Sequence, residues 1–537
     1  MISSGHVDTF ARDNLPPPQQ WPEFVFDLPE LQFAERLNCA AELLDKAVAR
    51  GFGERPCVFG EGVAWTYAQL LAQANRVARV LVGELGLRTG QRVLLRGGNS
   101  PMLAACWFGV VKAGGIAVGS MPLLRAKELT QIVTKAQVSH ALCDARLADE
   151  LAKARADCPS LTQVLHFQDV TDAGLEARMA AQPGDDFAAA DTALDDVCLI
   201  AFTSGTTGQP KGTMHFHRDV MASCLCWPPH VLRATADDRF IGSPPLAFTF
   251  GLGGLLLFPL SIGASTVLLE RVSPDALLGA IARHRASVCF TAPTSYRAMA
   301  SQVAQHDLSS LRKCVSAGEA LPAATRTLWK QASGIEMIDG IGSTELLHIF
   351  ISAREDQARG GATGLVVPGY RACVLDAQGR EVPRGQVGRL AVKGPTGCRY
   401  LADARQTTYV QNGWNLTGDA YCVADDGQFV YQARTDDMII SGGYNIAGPE
   451  VESALLLHPA VAECAVVGAP DDERGQIVKA FVVVRSGTLA DAALVKTLQD
   501  FVKQSIAPYK YPRAIEFRDT LPRTETGKLQ RFRLRGN

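Results

Sequence analysis

One ten-residue stretch constrains this chain more than any other. It runs Thr-Ser-Gly-Thr-Thr-Gly-Gln-Pro-Lys-Gly over residues 203–212 and follows an uninterrupted apolar run at residues 197–202, which predicts a buried strand. Its three glycines let backbone N–H groups approach an anion, its hydroxyl groups add donors, and Lys211 supplies a positive charge. The stretch therefore predicts a loop that binds a polyphosphate.

This loop differs from the Walker A loop. Its glycine spacing does not fit G-x-x-x-x-G-K-[ST], and Pro210 stands where a Gly-Lys pair would open a helix. The sequence therefore indicates phosphate chemistry other than ordinary P-loop hydrolysis.

The length and charge of the chain limit its number of domains and its partners. A chain of 537 residues exceeds what one hydrophobic core organises, so we expect two or more domains. The formal net charge of -2 gives no general attraction to nucleic acid or to anionic membranes, so neither is expected as a partner. The 14 cysteines include no C-x-x-C pair, which favours reduced thiols in a cytoplasmic protein, and the N-terminus has no signal-peptide pattern.

Residues 251–269 carry no charge and are long enough to cross a membrane. Glycines and Pro259 divide this stretch, so we predict a core helix followed by a buried strand at residues 264–269.

Hydrophobic periodicity predicts alternating strands and helices. Residues 1–35, with three consecutive prolines, are expected to form an extended arm over the body. Alternation of this kind implies α/β layers with mostly parallel sheets. Predicted helices lie at residues 38–50, 67–82, 104–113, 126–136 and 492–504, and predicted strands near residues 57–63, 91–95, 115–118, 197–202, 287–291, 313–317, 462–468 and 480–484.

The loop resembles the phosphate-binding signature of the adenylate-forming superfamily, which includes acyl-CoA and aryl-CoA synthetases, carrier-protein adenylation domains and luciferases. A glycine-rich surface turn is the alternative, which ten contiguous matched positions disfavour. The resemblance implies an α/β fold: an N-terminal domain at residues 1–433, of layered α/β sheets with a β-barrel-like subdomain, and a small mobile α+β domain at residues 434–537. It also implies that the loop binds ATP through Thr203, Ser204, Gly205, Thr206, Thr207, Gly208 and Lys211.

Two further motifs resemble nucleotide-binding segments of this superfamily. By resemblance, the turn formed by Gly318, Glu319 and Ala320 holds the adenine. The segment Asp339, Gly340, Ile341, Gly342, Ser343, Thr344 and Glu345 is similar to Tyr-Gly-x-Thr-Glu, with Ile341 in place of tyrosine. Thr344 is expected to contact the α-phosphate and Glu345 to bind Mg²⁺. A solvated glutamate at a helix start is the alternative interpretation of Glu345.

The remaining motifs lie in the last quarter of the chain. Asp419 matches a Thr-Gly-Asp motif whose carboxylate binds the ribose. Residues 431–437 match a hinge motif. By resemblance, Tyr431 and Arg434 contact the nucleotide and the backbone pivots at Asp436. Gly442, Gly443 and Tyr444 are expected to admit coenzyme A. Lys528 matches the catalytic lysine of the first half-reaction, and because nine residues follow it, we expect no appended carrier domain.

The acid-binding segment resembles that of benzoate-CoA ligases. Phe248, Thr249, Phe250 and Gly251 stand where those enzymes have Phe-Ala-Tyr-Gly, and the run at residues 342–350 is similar to theirs, with His348 bordering the aromatic acid. If a helix begins at Glu345, His348 shares its face. The alternatives are plain core aromatics and a core histidine.

The resemblance implies a ligase that uses ATP, Mg²⁺ and coenzyme A to convert an aromatic acid to its CoA thioester through an acyl-adenylate. Thr249 and an N-terminal arm similar to that of 2-aminobenzoate-CoA ligases favour 2-aminobenzoate. A benzoate or hydroxybenzoate ligase is the alternative within the class, and an enzyme that loads a carrier protein in trans is the alternative from another class. A non-catalytic relative is disfavoured because Lys528, Glu345, Asp419 and Lys211 are all present. A monomer or homodimer is expected.

Overall fold

The computed structural model describes residues 3–203, 210–435, 437–441, 444–471, 474–506, 508–523 and 529–535. Helices and strands alternate as predicted, and the segment at residues 41–52 is helical with π-type turns. Helices of six residues or more lie at Tyr67–Arg79, Pro101–Lys112, Ala126–Ala136, Ala148–Ala156, Leu175–Ala180, His217–Trp227, Pro274–His284, Pro293–Met299, Ala323–Ser333, Gly448–Leu455 and Ala492–Ser505.

A nine-stranded sheet forms one layer of the larger region. Its central strands are parallel and its edges antiparallel, as expected for a sheet covered by helices. The strands lie in the spatial order Leu365–Val366, Ile349–Ser352, Met337–Gly342, Lys313–Ser316, Val288–Thr291, Arg239–Gly242, Ser265–Val267, Pro56–Gly60 and Val63–Thr66.

A six-stranded sheet forms the second layer. All its pairings are parallel except the last, where the strand predicted before the phosphate loop forms a hairpin with the strand after it. Its strands lie in the order Gln163–Phe167, His140–Asp144, Arg92–Arg96, Ile116–Ser120, Val197–Thr203 and Lys211–Phe216.

The expected barrel-like subdomain is a five-stranded antiparallel sheet of strands Arg371–Leu375, Gly388–Lys393, Val410–Gln411, Trp414–Val423 and Phe429–Arg434. After it, strands Val461–Asp471, Gly475–Val484 and Ala514–Phe517 form a separate sheet, preceded by the short pair Ile439–Ser441 and Tyr444–Ile446. Buried residues of this last region, among them Val451, Val466 and Leu498, form a hydrophobic cluster of their own.

The uncharged stretch is a core element, as predicted. Residues 249–261 are helical and buried, and Ser265–Val267 is a strand. Among the described residues, no helix is long and apolar enough to cross a membrane. The arm packs on the body: the Trp21 ring lies 5.9 Å from that of Phe216, and Asp8 pairs with Arg92 at 2.6 Å. All 14 cysteines are free thiols.

Candidate active site

About half of the predicted site residues lie where parallel strands of the larger sheet end. The strands Arg239–Gly242, Val288–Thr291, Lys313–Ser316 and Met337–Gly342 run parallel to one another. Their carboxyl ends therefore meet at one edge of the sheet, where ligands of α/β proteins commonly bind. The segments that follow these strands carry Phe248, Thr294, Glu319 and Glu345.

The hairpin of the second sheet holds both ends of the phosphate loop. Thr203 pairs with Lys211 in the register of the two strands. The residues between them that were predicted to bind phosphate, Ser204, Gly205, Thr206, Thr207 and Gly208, lie outside the described residues. The Lys211 ammonium lies 5.4 Å from the centroid of the Tyr400 ring.

The turn that carries Glu345 is held by His215 and Tyr400. His215, on the strand after the phosphate loop, places its Nε2 2.8 Å from the carbonyl oxygen of Thr344. The Tyr400 hydroxyl donates a 2.5 Å hydrogen bond to Oε1 of Glu345, and both side chains are buried. Lys211, Tyr400 and Glu345 thus form a continuous polar row from the phosphate hairpin to the predicted metal ligand.

No helix begins at Glu345. Residues 344–348 make turns and bends before the strand Ile349–Ser352, so the condition under which His348 would share a helical face with Glu345 is not met. The backbone of Leu347 takes φ 71°, a left-handed conformation that a helix excludes. Local spacing could not reveal this, because the turn is imposed by contacts with His215 and Tyr400.

The predicted adenine turn follows the strand Lys313–Ser316. Gly318 takes φ 89°, which favours glycine, and the Thr294 hydroxyl donates a 2.6 Å hydrogen bond to Oε2 of Glu319. Ala320 follows Glu319 directly in this turn. The turn is therefore held by the neighbouring helix Pro293–Met299.

Asp339 lies on the adjacent strand with Gly340, Ile341 and Gly342. Burial raises the pKa of its carboxyl to about 7, and Oδ1 has no hydrogen-bond partner among the described residues. A buried acceptor without a donor is costly, so it indicates a group that a ligand completes.

The predicted ribose and hinge residues meet across two strands. Asp419 and Arg434 are paired in register, and Nη1 of Arg434 donates a 3.0 Å hydrogen bond to Oδ1 of Asp419. Burial raises the pKa of Asp419, Arg434 opposes that effect, and Glu345 adds to it. Tyr431 lies on the same strand as Arg434, with its ring 5.4 Å from that of Tyr421.

An enclosure of aromatic rings surrounds His348. The imidazole centroid lies 4.4 Å from the Phe258 ring, 5.7 Å from the Phe250 ring and 5.9 Å from the Trp227 ring. Burial lowers the pKa of His348 to about 3, so the ring is neutral at physiological pH. Its Nε2 lies 3.3 Å from the carbonyl oxygen of Phe250, whereas its buried Nδ1 has no partner among the described residues.

The other acid-pocket residues lie beside this enclosure. Phe248 and Thr249 line an apolar cavity together with Leu103, Trp107 and Leu256, and neither His348 nor Phe250 lines that cavity. A Cβ atom at Gly251 would lie 2.1 Å from the carbonyl oxygen of Pro245, so only glycine fits. The structure thus separates the four-residue motif into two environments.

Several predicted residues cannot be placed. Lys528, Asp436, Gly442 and Gly443 lie outside the described residues, and of Tyr444 the structure describes its place in the strand Tyr444–Ile446.

Sequence reasoning missed Tyr400, His215 and Tyr409. The Tyr409 hydroxyl lies 3.3 Å from Oγ of Ser343, so a second tyrosine contacts the same turn. The signal for Tyr400 was the turn sequence Gly-Pro-Thr-Gly that precedes it at residues 394–397, and the signal for His215 was its place four residues after Lys211.

Comparison with known proteins shows the family of this chain. The model of the AMP-binding enzyme family matches residues 45–400, and that of the AMP-binding enzyme C-terminal domain matches residues 450–528. A benzoate-CoA ligase from Thauera aromatica is 36% identical over 516 residues, which cover 94% of this chain and 97% of that protein. A 4-hydroxybenzoate-CoA/benzoate-CoA ligase from Rhodopseudomonas palustris is 32% identical, and the match covers 93% of this chain and 94% of that protein.

Solved structures give the same result. The crystal structure of the anthranilate CoA ligase AuaEII in complex with anthranoyl-AMP superposes with a TM-score of 0.89 at 35% identity and covers 94% of this chain and 98% of that one. A benzoate CoA ligase from Burkholderia xenovorans LB400 superposes with a TM-score of 0.85 at 32% identity, over 93% of this chain and 99% of its own. The chain therefore belongs to the AMP-binding enzyme family and, within it, to the ligases of the benzoate-CoA ligase group.

Proposed function

We propose that this protein is an ATP-dependent ligase that converts 2-aminobenzoate to its CoA thioester. In the first step the carboxylate attacks the α-phosphorus of ATP and pyrophosphate departs, which leaves an acyl-adenylate. In the second step the thiol of coenzyme A attacks the adenylate carbonyl, AMP departs, and the thiol proton passes to solvent.

The observation that carries the choice of acid is the unpaired acceptor on His348. A carbonyl oxygen only accepts hydrogen bonds, so the Nε2 atom near the Phe250 carbonyl carries the ring proton. Since the ring is neutral, Nδ1 is then a bare acceptor, buried and without a donor among the described residues. An amino group on the substrate ring supplies that donor, whereas unsubstituted benzoate leaves the acceptor unpaired, which costs binding free energy.

The comparisons support this choice at the level of the substrate class. One similar structure is named as an anthranilate CoA ligase with anthranoyl-AMP bound, and the similar curated relatives are named for benzoate and hydroxybenzoate. An aromatic acid also suits the apolar cavity beside His348, which Trp107 and Phe248 line, because edge and face contacts between rings add to the free energy of burial.

The first step brings two anions together, so positive charge must lower its barrier. We assign this role to Lys211 at the end of the phosphate hairpin and to Lys528. Glu345 offers a carboxylate oxygen of the kind that Mg²⁺ prefers. Tyr400 donates a hydrogen bond to that carboxylate, and His215 holds the backbone carbonyl of the preceding Thr344. When bound, Mg²⁺ supplies charge that offsets the charge of the phosphates.

Two other groups position the nucleotide in this proposal. Asp419 accepts hydrogen bonds from the ribose hydroxyls, with Arg434 fixing its orientation. The unpaired Oδ1 of Asp339 accepts a bond from the adenine amino group beside the turn at Gly318 and Glu319. Gly442, Gly443 and Tyr444 are assigned to coenzyme A.

The test is a panel of acids, each supplied with ATP, Mg²⁺ and coenzyme A: 2-aminobenzoate, benzoate, the three hydroxybenzoates, phenylacetate and a medium-chain fatty acid. Pyrophosphate, AMP and thioester are measured separately. We expect the highest kcat/KM for thioester formation with 2-aminobenzoate. Release of pyrophosphate without thioester would contradict the proposed acceptor and indicate transfer to a carrier protein.

Two variants test the acid pocket. In His348→Gln the side-chain amide keeps a donor for the Phe250 carbonyl and loses the acceptor at Nδ1, so the preference for 2-aminobenzoate over benzoate should fall by about tenfold. Thr249→Ala tests whether the hydroxyl also contacts the ortho substituent. An unchanged preference in His348→Gln would contradict the role of Nδ1, and an unchanged preference in Thr249→Ala would remove Thr249 from the proposal.

A further inference from the structure

Charged side chains from two parts of the chain face each other beside the predicted adenine turn. Arg523, from the C-terminal region, places Nη2 2.8 Å from Oε2 of Glu463 in the same region and Nη1 3.7 Å from Oε1 of Glu319 in the adenine turn. The side chains of Arg523 and Glu319 are 28% and 19% exposed, so both are largely withdrawn from solvent. Arg523 therefore bridges a carboxylate of its own region and one of the nucleotide site.

A hydrogen bond that does not involve Arg523 holds the Glu319 carboxylate in place. Thr294 donates to its Oε2, which leaves Oε1 for Arg523. Arg297 lies three residues after Thr294 on the helix Pro293–Met299 and so occupies the same helix face. Burial lowers the pKa of Arg297, the nearby positive charge of Arg485 lowers it further, and Glu463 opposes both effects. Arg523 thus lies between two carboxylates, Glu463 and Glu319, with the guanidinium of Arg297 on the neighbouring helix.

Arg523 also fixes the backbone on both sides of the lysine motif. Its backbone forms an antiparallel bridge with Leu529, and the N–H of Gln530 donates a 2.8 Å hydrogen bond to the carbonyl of Pro522. Lys528 directly precedes Leu529 in the sequence. The ion pair between Arg523 and Glu319 therefore ties the backbone around the lysine motif to the nucleotide turn. It sets the distance from that turn to the residues that flank Lys528.

We propose that Arg523 is a positioning residue for the first half-reaction, acting through its simultaneous ion pairs with Glu463 and Glu319. This inference rests on the proposed function, in which Lys528 offsets the charge of two anions that meet. The second half-reaction joins a thiol to the adenylate carbonyl and does not bring a carboxylate against a polyphosphate. Loss of the bridge should therefore slow adenylate formation selectively.

The two half-reactions can be measured apart. Pyrophosphate release from 2-aminobenzoate and ATP reports the first, and AMP release from synthetic 2-aminobenzoyl-adenylate with coenzyme A reports the second. Arg523→Met should slow the first by roughly tenfold, the range of a coupling between two sites, and leave the second within about twofold. Arg523→Lys keeps the charge and should recover part of the loss. Arg518→Met, which removes the ion pair with Glu516 inside the C-terminal region, is the matched control and should change neither rate.

A second variant keeps the inference testable if Arg523→Met fails to fold. Glu463→Gln leaves Arg523 intact but removes one of its carboxylates, so it should slow pyrophosphate release by a smaller factor and leave the second rate unchanged. Equal slowing of both half-reactions by Arg523→Met, or no slowing of either, would overturn the inference. If the wild type releases pyrophosphate without thioester, coenzyme A is not the acceptor. The ratio of the variant and wild-type rates of pyrophosphate release still decides the role of Arg523 in that case. If the wild type releases no pyrophosphate with any acid, both proposals fail.

Discussion

The hydroxyl of Tyr400 donates a 2.5 Å hydrogen bond to Oε1 of Glu345, the predicted metal ligand. A hydrogen bond to a charged group contributes roughly 1.5–3 kcal/mol. We expect Tyr400→Phe to raise the Mg²⁺ concentration needed for half-maximal pyrophosphate release by about tenfold, because the carboxylate loses the donor that orients it. Tyr409→Phe is the control, since the Tyr409 hydroxyl contacts Ser343 instead of Glu345. Equal shifts in the two variants would contradict this role.

With Asp419 binding the ribose as proposed, its pair with Arg434 should link nucleotide binding to pH. Burial raises the pKa of Asp419, and Arg434 limits that rise. In Arg434→Met the carboxyl loses this opposing charge, so its pKa should rise further. We expect the KM for ATP to increase by about tenfold, and the acid limb of the kcat/KM profile to move to higher pH, because protonated Asp419 no longer accepts two ribose hydrogen bonds. Profiles of wild type, Arg434→Met and Arg434→Lys between pH 5 and 9 test this, and an acid limb that stays in place would refute it.

Arg399 and Asp219 form an ion pair that is fully buried. Burial alone would raise the pKa of Asp219, but Arg399 and the nearby His215 bring it below its usual value. Arg399→Met leaves a buried carboxylate without its cation, which should lower the free energy of unfolding by about 3–5 kcal/mol in urea denaturation.

The double variant Arg399→Met with Asp219→Asn leaves no buried charge unpaired, so it should recover part of the lost unfolding free energy. Arg371→Met is the control, because its pair with Asp27 is more than half exposed and contributes less than about 1 kcal/mol. A double variant no more stable than Arg399→Met would show that lost packing, and not the unpaired charge, sets the cost.

Asp339 should make stability depend on pH. Its pKa is about 7 in the folded protein and near the ordinary value when unfolded, so between those values the folded state binds a proton that the unfolded state lacks. Stability should therefore fall as the pH rises from about 5 to 7, by at most about 1.4 kcal/mol per pH unit. Asp339→Asn removes this titration. The difference in unfolding free energy between variant and wild type should grow in favour of the variant with rising pH, and a constant difference would contradict the assignment.

Much of the site could be predicted from sequence because its parts are local. The phosphate loop and the turn at Gly318 each follow a strand, the Thr-Gly-Asp motif lies within the strand Trp414–Val423, and hydrophobic runs locate strands well. The carboxyl ends of parallel strands share one edge, so local motifs converge without any long-range information. The predicted helix at Ala126–Ala136 was found with the same bounds, because its apolar positions follow the helical period.

The sequence by itself determined the family and the order of strands and helices, and it predicts which groups face the nucleotide. Only the tertiary structure decided that residues 344–348 form a turn, that Tyr400 holds Glu345, that the Nδ1 atom of His348 has no partner within the described part of the chain, and that Arg523 bridges Glu463 and Glu319. The physical reason is that these features join residues far apart in the chain. Local periodicity and motif spacing report on neighbours along the backbone, whereas the direction of a buried polar side chain depends on which distant group packs against it.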